Sequence, residues 1–493
     1  MSKRSYILFL SLIILTAVTT TLRAQSADDV LRYSLEYPSY DALSVVVPGV
    51  SSPTGFGAFQ ENPGVMALYK KSYFSFDLSS RFLDETGTYL GNKSSSSNNQ
   101  TSVGDLGILY KVPTSRGSLV VGGGYSQTTD FNRTLSASGF NNRSTITDYY
   151  SSLPRNDAVN TAAFNAYAIE DVNADSSASI LRYGAPYSAY PGIDQDMQLT
   201  ESGALGEYSA FLATELFKNF MVGASIGYLN GSYTYRRDFL ESDRQNNFNG
   251  QIINPDTTSG SYTDISSILS HDKINADIQA FSARLGFVYN PSEAFHFGMS
   301  YEFPSKLHID ENYNTVITTT FDDGRQTQPQ DAPGKFSYKI VRPQRLKAGV
   351  TIATFKQLSL SASAEYVPYT EAKIDYSEIQ YKDQQTQINS NVRSSFRDVV
   401  NLRVGVEYKL NNQFTPRFGY AYFPSPLEGL DRSRQFLSGG FSAELTRGLM
   451  FDFGLQYSFW KDSNTLYSTP KTSESVGEDV TRIHVMTGIR MEL

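Results

Sequence analysis

Alternation of apolar and polar residues with a period of two is the feature that most constrains this chain. Between Leu402 and Leu410 every second residue is apolar, and the run ends at Asn411-Asn412, a pair typical of a tight hairpin turn. Successive side chains of a strand point to opposite faces, so such a run predicts a β-strand with one apolar face. The same unit recurs from Ser72 to the C-terminus. The sequence therefore predicts an all-β fold.

The apolar faces of these strands need a partner that excludes water, and no series of amphipathic helices is present to cover them. Mean hydropathy is −0.33, and no apolar run of transmembrane-helix length follows the N-terminus. A closed antiparallel β-barrel in a membrane fits both observations, because lipid covers the apolar face and closure removes the sheet edges. The 33 Tyr and 31 Phe residues suit the aromatic girdles of such a barrel.

Composition argues against several kinds of site. The chain has no Cys, which rules out disulfides and thiolate ligands, and its four His are scattered. We therefore expect no metal site and no cofactor. Calcium binding by the loop acids Asp322-Asp323 is an alternative, but a solvated charge pair is the simpler interpretation. A formal net charge of −8 argues against nucleic acid as a partner.

Residues 1–24 have the layout of a secretory signal peptide. Lys3-Arg4 form the charged region, and an apolar stretch from Tyr6 to Val18 follows. This stretch is too short to remain as a membrane span, and we expect cleavage after Ala24. The protein is therefore predicted to be exported.

Residues 25–71 do not have the pattern of barrel wall. Four prolines and four glycines lie between Pro38 and Gly64, too many for long ladders. The segment ends in the apolar stretch FGAFQENPGVMALYKK. A disordered leader is one interpretation, but the apolar surface favours a plug, or hatch, that packs inside the barrel.

Residues 72–493 are predicted to form a barrel of fourteen strands. Short turns and long connections alternate, as in single-chain outer-membrane barrels with short periplasmic turns and long extracellular loops. Both termini are then periplasmic, and the wall projects beyond the membrane on the outside. The predicted strands are approximately 72–83, 102–112, 117–131, 198–217, 219–240, 274–290, 293–312, 334–354, 357–379, 396–411, 413–424, 433–446, 448–461 and 478–493. The long connections are 84–101, 132–197, 241–273, 313–333, 380–395, 425–432 and 462–477.

The alternation also sorts side chains between lipid and lumen. Phe453 is predicted to face lipid, with Asp452 and Gln456 facing the lumen. Charges of both signs collect inside, where we expect paired charges to brace a plug and solvate the interior. The predicted lumenal charges are Asp77, Asp105, Arg284, Glu302, Lys347, Glu365, Arg403, Glu407, Glu444 and Arg490.

The order of signal peptide, plug and fourteen strands resembles the FadL-type outer-membrane transporters of long-chain fatty acids and other hydrophobic compounds. Three phrases carry the resemblance: FSARLGFVYNPSEAFHFGMSYEFPS (281–305), PQRLKAGVTIATFKQLSLSASAEYVPYTEAKIDY (343–376) and LRVGVEYKLNNQFTPRFGYAYFPSPL (402–427). The resemblance implies an N-terminal hatch, an external groove, an internal hydrophobic pocket and lateral release through a kinked third strand. It also implies a monomer whose partners are a hydrophobic ligand, outer-membrane lipid and, during biogenesis, the barrel-assembly machinery.

The family's hatch carries an Asn-Pro-Ala motif, whereas this chain has Asn62-Pro63-Gly64. We expect the substitution to keep the turn and to add flexibility. The predicted gate consists of these three residues together with Phe59 and Met66.

The third strand contains Gly122, Gly123 and Gly124 at its centre. Three glycines remove side chains from both faces and weaken a ladder, which favours a bulge or inward kink and hence a lateral opening at this place. The alternative is that they make space for a bulky neighbour such as a hatch aromatic.

The loop 132–197 contains AVNTAAFNAYAIEDV, whose apolar residues are near helical spacing. A short helix here would present Phe164 and Tyr167 at the extracellular mouth, where they would bind a hydrophobic ligand. The alternative is that this helix forms the loop's own small core.

Three other functions were weighed against transport. An enzyme is not favoured, since no nucleophile with an adjacent base and no G-x-S-x-G motif is found. A general diffusion porin usually has more strands and no plug. An adhesin or structural barrel remains compatible with the long polar loops.

Overall fold

The protein is a closed antiparallel β-barrel of fourteen strands in the computed structural model, as the sequence predicted. The barrel closes between its first and last strands, from Tyr73 opposite Glu492 to Thr88 opposite Gly477. The predicted signal peptide, residues 1–24, lies outside the part of the chain that the structure describes. The described residues are 27–38, 41–173, 176–182, 189–249, 253–256, 261–355, 357–377 and 379–493.

Each strand pairs with its sequence neighbours. The strands are β1 Tyr73–Tyr89, β2 Asn92–Val112, β3 Leu119–Asp130 with Arg133–Asn141, β4 Ile193–Phe217, β5 Phe220–Ser242, β6 Ile265–Ser292, β7 Phe295–Glu302 with Lys306–Phe321, β8 Gln330–Val341 with Arg345–Phe355, β9 Leu358–Val367 with Lys373–Asp375, β10 Val399–Tyr408, β11 Phe414–Phe423, β12 Arg434–Thr446, β13 Leu449–Ser468 and β14 Ser473–Glu492.

Four strands, β3, β7, β8 and β9, are interrupted. Pro304, Pro343 and Pro368 stand at the breaks in the last three, where the missing N–H removes a ladder bond. The break in β3 has no proline. There the Asn132 side chain bonds the backbone of Gly203 on β4, at Nδ2–O 3.3 Å and N–Oδ1 3.4 Å.

The prediction of long loops is wrong at two places, where the structure has strands joined by short turns. Residues 84–101 continue β1 and β2 as far as a turn at Leu90-Gly91, and both turn residues have positive φ (49° and 86°), as in a type I′ hairpin. Residues 462–477 likewise continue β13 and β14 to a short turn. The polar composition of these stretches hid them, because the face that is buried carries polar residues such as Glu85 and Glu474 and so gives little apolar alternation.

The alternation of the wall is as predicted. Asp452 and Gln456 are buried inside, while Phe453 stacks on Phe441 on the outer face at 5.4 Å between ring centroids. Large apolar side chains stand exposed around the outside, with Phe281 at 76%. Among the described residues, no helix has both the length and the apolar character needed to span a membrane.

The N-terminal part of the chain packs against the inner face of the wall. It comprises α1 Ala27–Ser34, α2 Ala58–Glu61 and a 3₁₀ helix Pro63–Leu68. We call residues 41–69 the inner segment, and nearly all of its side chains are buried.

The long connections gather at one end of the barrel, the loop end. There α3 Ile146–Ser152, α4 Ala158–Asn165 and the hairpin Ile169–Asn173/Ser176–Ser179 form a compact cap with its own apolar core. A second helix pair is made where α1 meets α5 Lys382–Ser395, whose Ile388 and Val392 pack beside Leu31.

Candidate functional site

A row of glycines on the inner wall receives the inner segment. At each of these positions a Cβ atom would collide with the inner segment or crowd it, so the chain lies close against the wall backbone. A Cβ on Gly286, for example, would stand 2.0 Å from Asn62 Oδ1. The pairs are Gly223 with Pro63, Gly286 with Asn62, Gly298 and Gly349 with Val50, Gly405 with Val47, Gly419 and Gly440 with Val46, and Gly454 with Ala42.

Asn62 joins the inner segment to the wall. Its Nδ2 donates to the carbonyl of Val50 at 2.7 Å and to that of Phe287 on β6 at 2.9 Å. Its Oδ1 accepts from the N–H of Gly64 at 2.9 Å, which caps the 3₁₀ helix that Pro63 begins. Three of the four hydrogen-bonding positions of the amide are thus occupied, and Asn62 is fully buried.

Gly64 has a different role from the one expected. Its φ is not positive, and a Cβ there would lie 2.9 Å from Phe287 Cα and 3.0 Å from the carbonyl oxygen of Gly286. The glycine therefore permits close approach to β6, and added flexibility is not its structural reason.

The other predicted gate residues, Phe59 and Met66, are buried in an apolar cluster between the inner segment and the wall. Phe59 stacks on Phe211 of β4 at 5.1 Å, and Phe56 meets both rings. The side chains predicted as a gate therefore form the tightly packed floor of the lumen.

The predicted ladder gap at Gly122, Gly123 and Gly124 is wrong in position. These residues pair with β2 on one side and β4 on the other. Gly122 and Gly124 face inward, and space for a bulky neighbour explains both of them. A Cβ on Gly122 would strike Phe211, and one on Gly124 would strike Phe56. A Cβ on Gly123 meets only wall atoms of β4.

The ladder between β2 and β3 ends two residues further on, at Asp105 opposite Ser126. Beyond it, residues 92–104 of β2 and 127–141 of β3 share no backbone ladder in the described chain; we call this the β2–β3 slit. Side chains bridge it instead, including Ser102 Oγ to Gln127 Oε1 at 2.7 Å and Asn92 Nδ2 to the Ser138 carbonyl at 3.2 Å.

Buried ion pairs fasten the N-terminal part to the wall, and among the predicted lumenal charges Arg403 makes such a pair, whereas most of the others pair with wall residues. Glu61 pairs with Arg403 of β10 and accepts from the N–H of Gly49 at 2.7 Å. Arg345 of β8 donates to the Ser34 carbonyl at 2.7 Å and lies 3.5 Å from Glu36. Such pairs fix position more than they add net stability, since desolvation offsets much of the attraction.

A cavity of about 650 Å³ occupies the lumen on the loop-end side of the inner segment, within the size range of small-molecule sites. It is enclosed by α1, by the start of α4 and by strands from both sides of the barrel, and it reaches the break in β3. Its apolar and aromatic lining includes Leu31, Leu35, Leu83, Phe131, Val159, Tyr233, Tyr235, Ile274, Tyr313, Trp460 and Leu466.

One wall of the cavity is cationic and aromatic. Arg482 lies 4.3 Å from the ring centroid of Tyr37, and Arg434 lies 5.0 Å from the same ring and 5.6 Å from that of Trp460. Within the described chain the Arg434 guanidinium has no carboxylate partner, although the residue is only 6% exposed. An anionic ligand group is the natural complement of such a guanidinium.

The predicted ligand residues Phe164 and Tyr167 do not line this cavity. Phe164 is 43% exposed on the cap, and Tyr167 packs edge-on against Phe321 at 6.2 Å. Both belong to the cap, which agrees with the alternative that this loop forms its own core.

Sequence reasoning missed the cationic wall. The single Trp of the chain, Trp460, falls on the inward phase of β13, and Arg482 does so on β14. That phase was a usable signal. The contact of these two residues with Tyr37 could not be predicted from the sequence, because it depends on how the N-terminal part lies across the lumen.

A closed membrane barrel, a lumen blocked by the chain's own N-terminal part and a solute-sized cavity define the class of plugged outer-membrane barrels. Within that class, residues 207–483, more than half of the chain, match the family model described as "Outer membrane protein transport protein (OMPP1/FadL/TodX)". The chain belongs to this family of outer-membrane transporters, as its resemblance predicted. None of the curated sequences compared with the chain matches it.

Solved structures agree on the fold. The P. putida toluene transporter TodX is 14% identical, with a TM-score of 0.54 over 92% of this chain and 99% of its own. A Pseudomonas aeruginosa FadL homologue is 13% identical, with a TM-score of 0.57 over 93% and 99%. The Ralstonia pickettii toluene transporter TbuX is 15% identical, with a TM-score of 0.50 over 92% and 99%.

Proposed function

We propose that the protein takes up hydrophobic small molecules across the outer membrane, with long-chain fatty acids or similar amphiphiles as cargo. The observation that carries the proposal is the cavity, which is about 650 Å³ in volume, lies inside a plugged barrel and is lined by apolar and aromatic side chains together with charged ones. In this proposal residues 25–71 act as the hatch and residues 72–493 as the barrel. The loop end is extracellular, both termini are periplasmic and the protein works as a monomer.

The cationic wall supports an anionic head group on the cargo. Arg434 is held between aromatic faces without a carboxylate, so a ligand carboxylate would complete its ion pair. The apolar lining around Leu31 and Phe131 suits the hydrocarbon body. A purely aromatic hydrocarbon, the cargo named for TodX and TbuX, would leave this guanidinium unused.

The β2–β3 slit supports lateral release. Thr129, Asp130 and Phe131 line the cavity at the place where β3 is no longer bonded to β2. An apolar molecule gains roughly 25 cal/mol per Å² on leaving water for lipid, whereas passage through the floor would expose it to the periplasm. The same backbone separation replaces the opening first expected at Gly122, Gly123 and Gly124.

The floor argues against a general diffusion porin, because the inner segment lies directly on the wall backbone at the glycine row. The cavity offers no nucleophile with an adjacent base among its lining residues, so catalysis has no support from it. Adhesion has no observation in its favour.

A ligand pair tests the proposal. Hexadecanoate and hexadecanol share a chain and differ in charge, so Arg434→Gln should weaken hexadecanoate binding about tenfold or more, the loss of a charged hydrogen bond of roughly 1.5–3 kcal/mol. Hexadecanol binding should hold. The matched control is Arg244→Gln, because Arg244 is exposed and pairs with Asp196 away from the cavity.

Binding is measured on purified protein, and uptake in cells that lack their own transporter. Equal losses of affinity for hexadecanoate and hexadecanol would show that Arg434 contributes through packing and not through its charge. That result would contradict the proposal that the cargo is anionic. No uptake of either compound by the wild type would overturn the transport proposal.

A further inference from the structure

Three buried aspartates meet where the inner segment crosses the first two strands. Asp41 belongs to the inner segment, Asp77 to β1 and Asp105 to β2, and they are 2%, 3% and 1% exposed. One carboxylate oxygen of each lies within 4.8 Å of one oxygen of each of the others. Asp77 and Asp105 stand directly opposite each other in the ladder, an arrangement that like charges normally destabilise.

The described neighbouring groups do not neutralise Asp77 or Asp105. Neither Asp77 nor Asp105 has an ion pair within the described chain, and the nearby Arg490 is bound to Asp452. The N–H groups of Leu43, Ser44 and Gly57 donate to Asp41 at 2.8, 3.0 and 3.1 Å, and that of Ala42 donates to Asp77 at 3.1 Å.

A separate observation points to a ligand. Asp105 accepts from Ser126 Oγ at 2.7 Å through Oδ2, while its Oδ1 is buried with no hydrogen-bond donor. A buried carboxylate oxygen without a donor is costly, so this oxygen needs either a proton or a cation. A hard divalent cation supplies that charge to all three aspartates at once.

We propose that Asp41, Asp77 and Asp105 bind one Ca²⁺ ion that clamps the inner segment to the barrel. Ca²⁺ takes carboxylate oxygens at about 2.3–2.6 Å in flexible geometry, so oxygens up to about 5 Å apart can share one ion. Mg²⁺, at about 2.1 Å and near-octahedral, is a poorer match to three carboxylates from three separate chain segments. No sequence spacing predicted this site, because its ligands are far apart in the chain.

The position gives the ion a role. Asp105 opposite Ser126 is the last pair of the β2–β3 ladder before the slit, and Asp41 begins the inner segment. A bound ion would therefore tie the floor of the lumen to the strand that ends at the slit. Loss of the ion would loosen both together. This inference stands apart from the proposed cargo, since it concerns the floor and not the cavity.

Calcium binding by the full-length protein in detergent, after chelator treatment and dialysis, tests the proposal. Equilibrium dialysis with radioactive Ca²⁺ should give one ion per chain in the wild type, still bound in excess Mg²⁺. Asp105→Asn should remove that ion, while Asp323→Asn, at the exposed loop acid paired with Arg325, should leave it. Heat-modifiable migration confirms that each variant is folded.

Several outcomes would overturn the site. They are no bound Ca²⁺ in the wild type at millimolar concentration, one ion retained in Asp105→Asn, or an ion lost only in Asp323→Asn. Should Asp105→Asn not fold, Asp77→Asn takes its place, and the wild-type stoichiometry still decides whether an ion binds. Carboxylates that share protons in place of a cation would give the first of these results.

Discussion

At Gly286 and Gly298 the wall has no side chain because Asn62 and Val50 occupy the volume that a Cβ would need. Contact of this kind places backbone against backbone, so each glycine fixes how deep the inner segment can sit. Seen as a sequence, each is an ordinary strand glycine. Its meaning comes from a neighbour more than two hundred residues away, which alternation cannot reveal.

Gly64→Ala is the sharpest test of this contact, since it recreates the family's Asn-Pro-Ala motif. The new Cβ would press on the backbone of β6 at Phe287 and Gly286, and we expect a loss of about 1–3 kcal/mol, as for other overpacked sites. The matched control is Gly439→Ala, where the nearest atom is a Phe418 ring carbon at 3.7 Å. Urea unfolding of both variants would measure the difference; equal midpoints would contradict the close-approach role.

Asn62 is the residue that sequence reasoning placed best. The motif identified it through resemblance, and its amide bonds the wall at Phe287. Arg434 was not predicted, although its place at the start of β12 was, because its lack of a carboxylate partner depends on three-dimensional neighbours. Phe164 was misjudged for a similar reason: its helix exists, but it lies on the cap and not on the cavity.

Among the elements, β3 carries the mechanism proposed here, and cross-linking across the β2–β3 slit tests it. The chain has no native Cys, so Asn98→Cys with Thr134→Cys gives one reactive pair; the native side chains meet at 3.5 Å. A short reducible thiol linker should abolish uptake, and reduction should restore it.

The control for that cross-link is Thr86→Cys with Ser95→Cys. The native Thr86 and Ser95 side chains face each other at 3.2 Å across the intact β1–β2 ladder. Linking strands that are already bonded should leave uptake unchanged. Full uptake by the linked slit variant would exclude exit between β2 and β3.

Orientation of the wall makes a second prediction at this scale. Phe453→Lys places a charge in lipid and should cost about 2–4 kcal/mol near the bilayer midplane. Ser475→Lys, outward on the neighbouring strand but near the loop end, should cost little. Refolding into lipid vesicles with urea reports both; similar losses would show that the membrane lies elsewhere on the wall.

The elements were largely predictable. Period-two alternation identified all fourteen strands in order, since burial on one face imposes it. It failed at the loop end, where β1 and β2 leave the membrane and both faces become polar. It also failed at the breaks: Pro304, Pro343 and Pro368 were visible, but each was read within a continuous strand.

For the whole molecule, the inner segment and not the cap should decide whether the lumen is closed. Vesicles carrying the wild type should not swell in disaccharide. Deletion of residues 41–69 should open the lumen and allow swelling, because the glycine row would then line an empty bore. Deletion of α1 alone, which lines the cavity away from that row, should keep it closed.

The glycine row has a consequence for speed. Where backbone rests on backbone, no rotamer change can make room, so the floor can open only by moving a chain segment as a body, on the microsecond-to-millisecond scale of collective motions. The slit is bridged in part by exposed side chains such as that of Asn92, which exchange rotamers in picoseconds to nanoseconds, although the bridging Gln127 is buried. In the proposed lateral route, opening at the exposed side-chain bridges is therefore faster than movement of the floor. Water-soluble compounds gain no free energy by entering the lipid beside the slit. For them the barrel stays closed during the time of a collision.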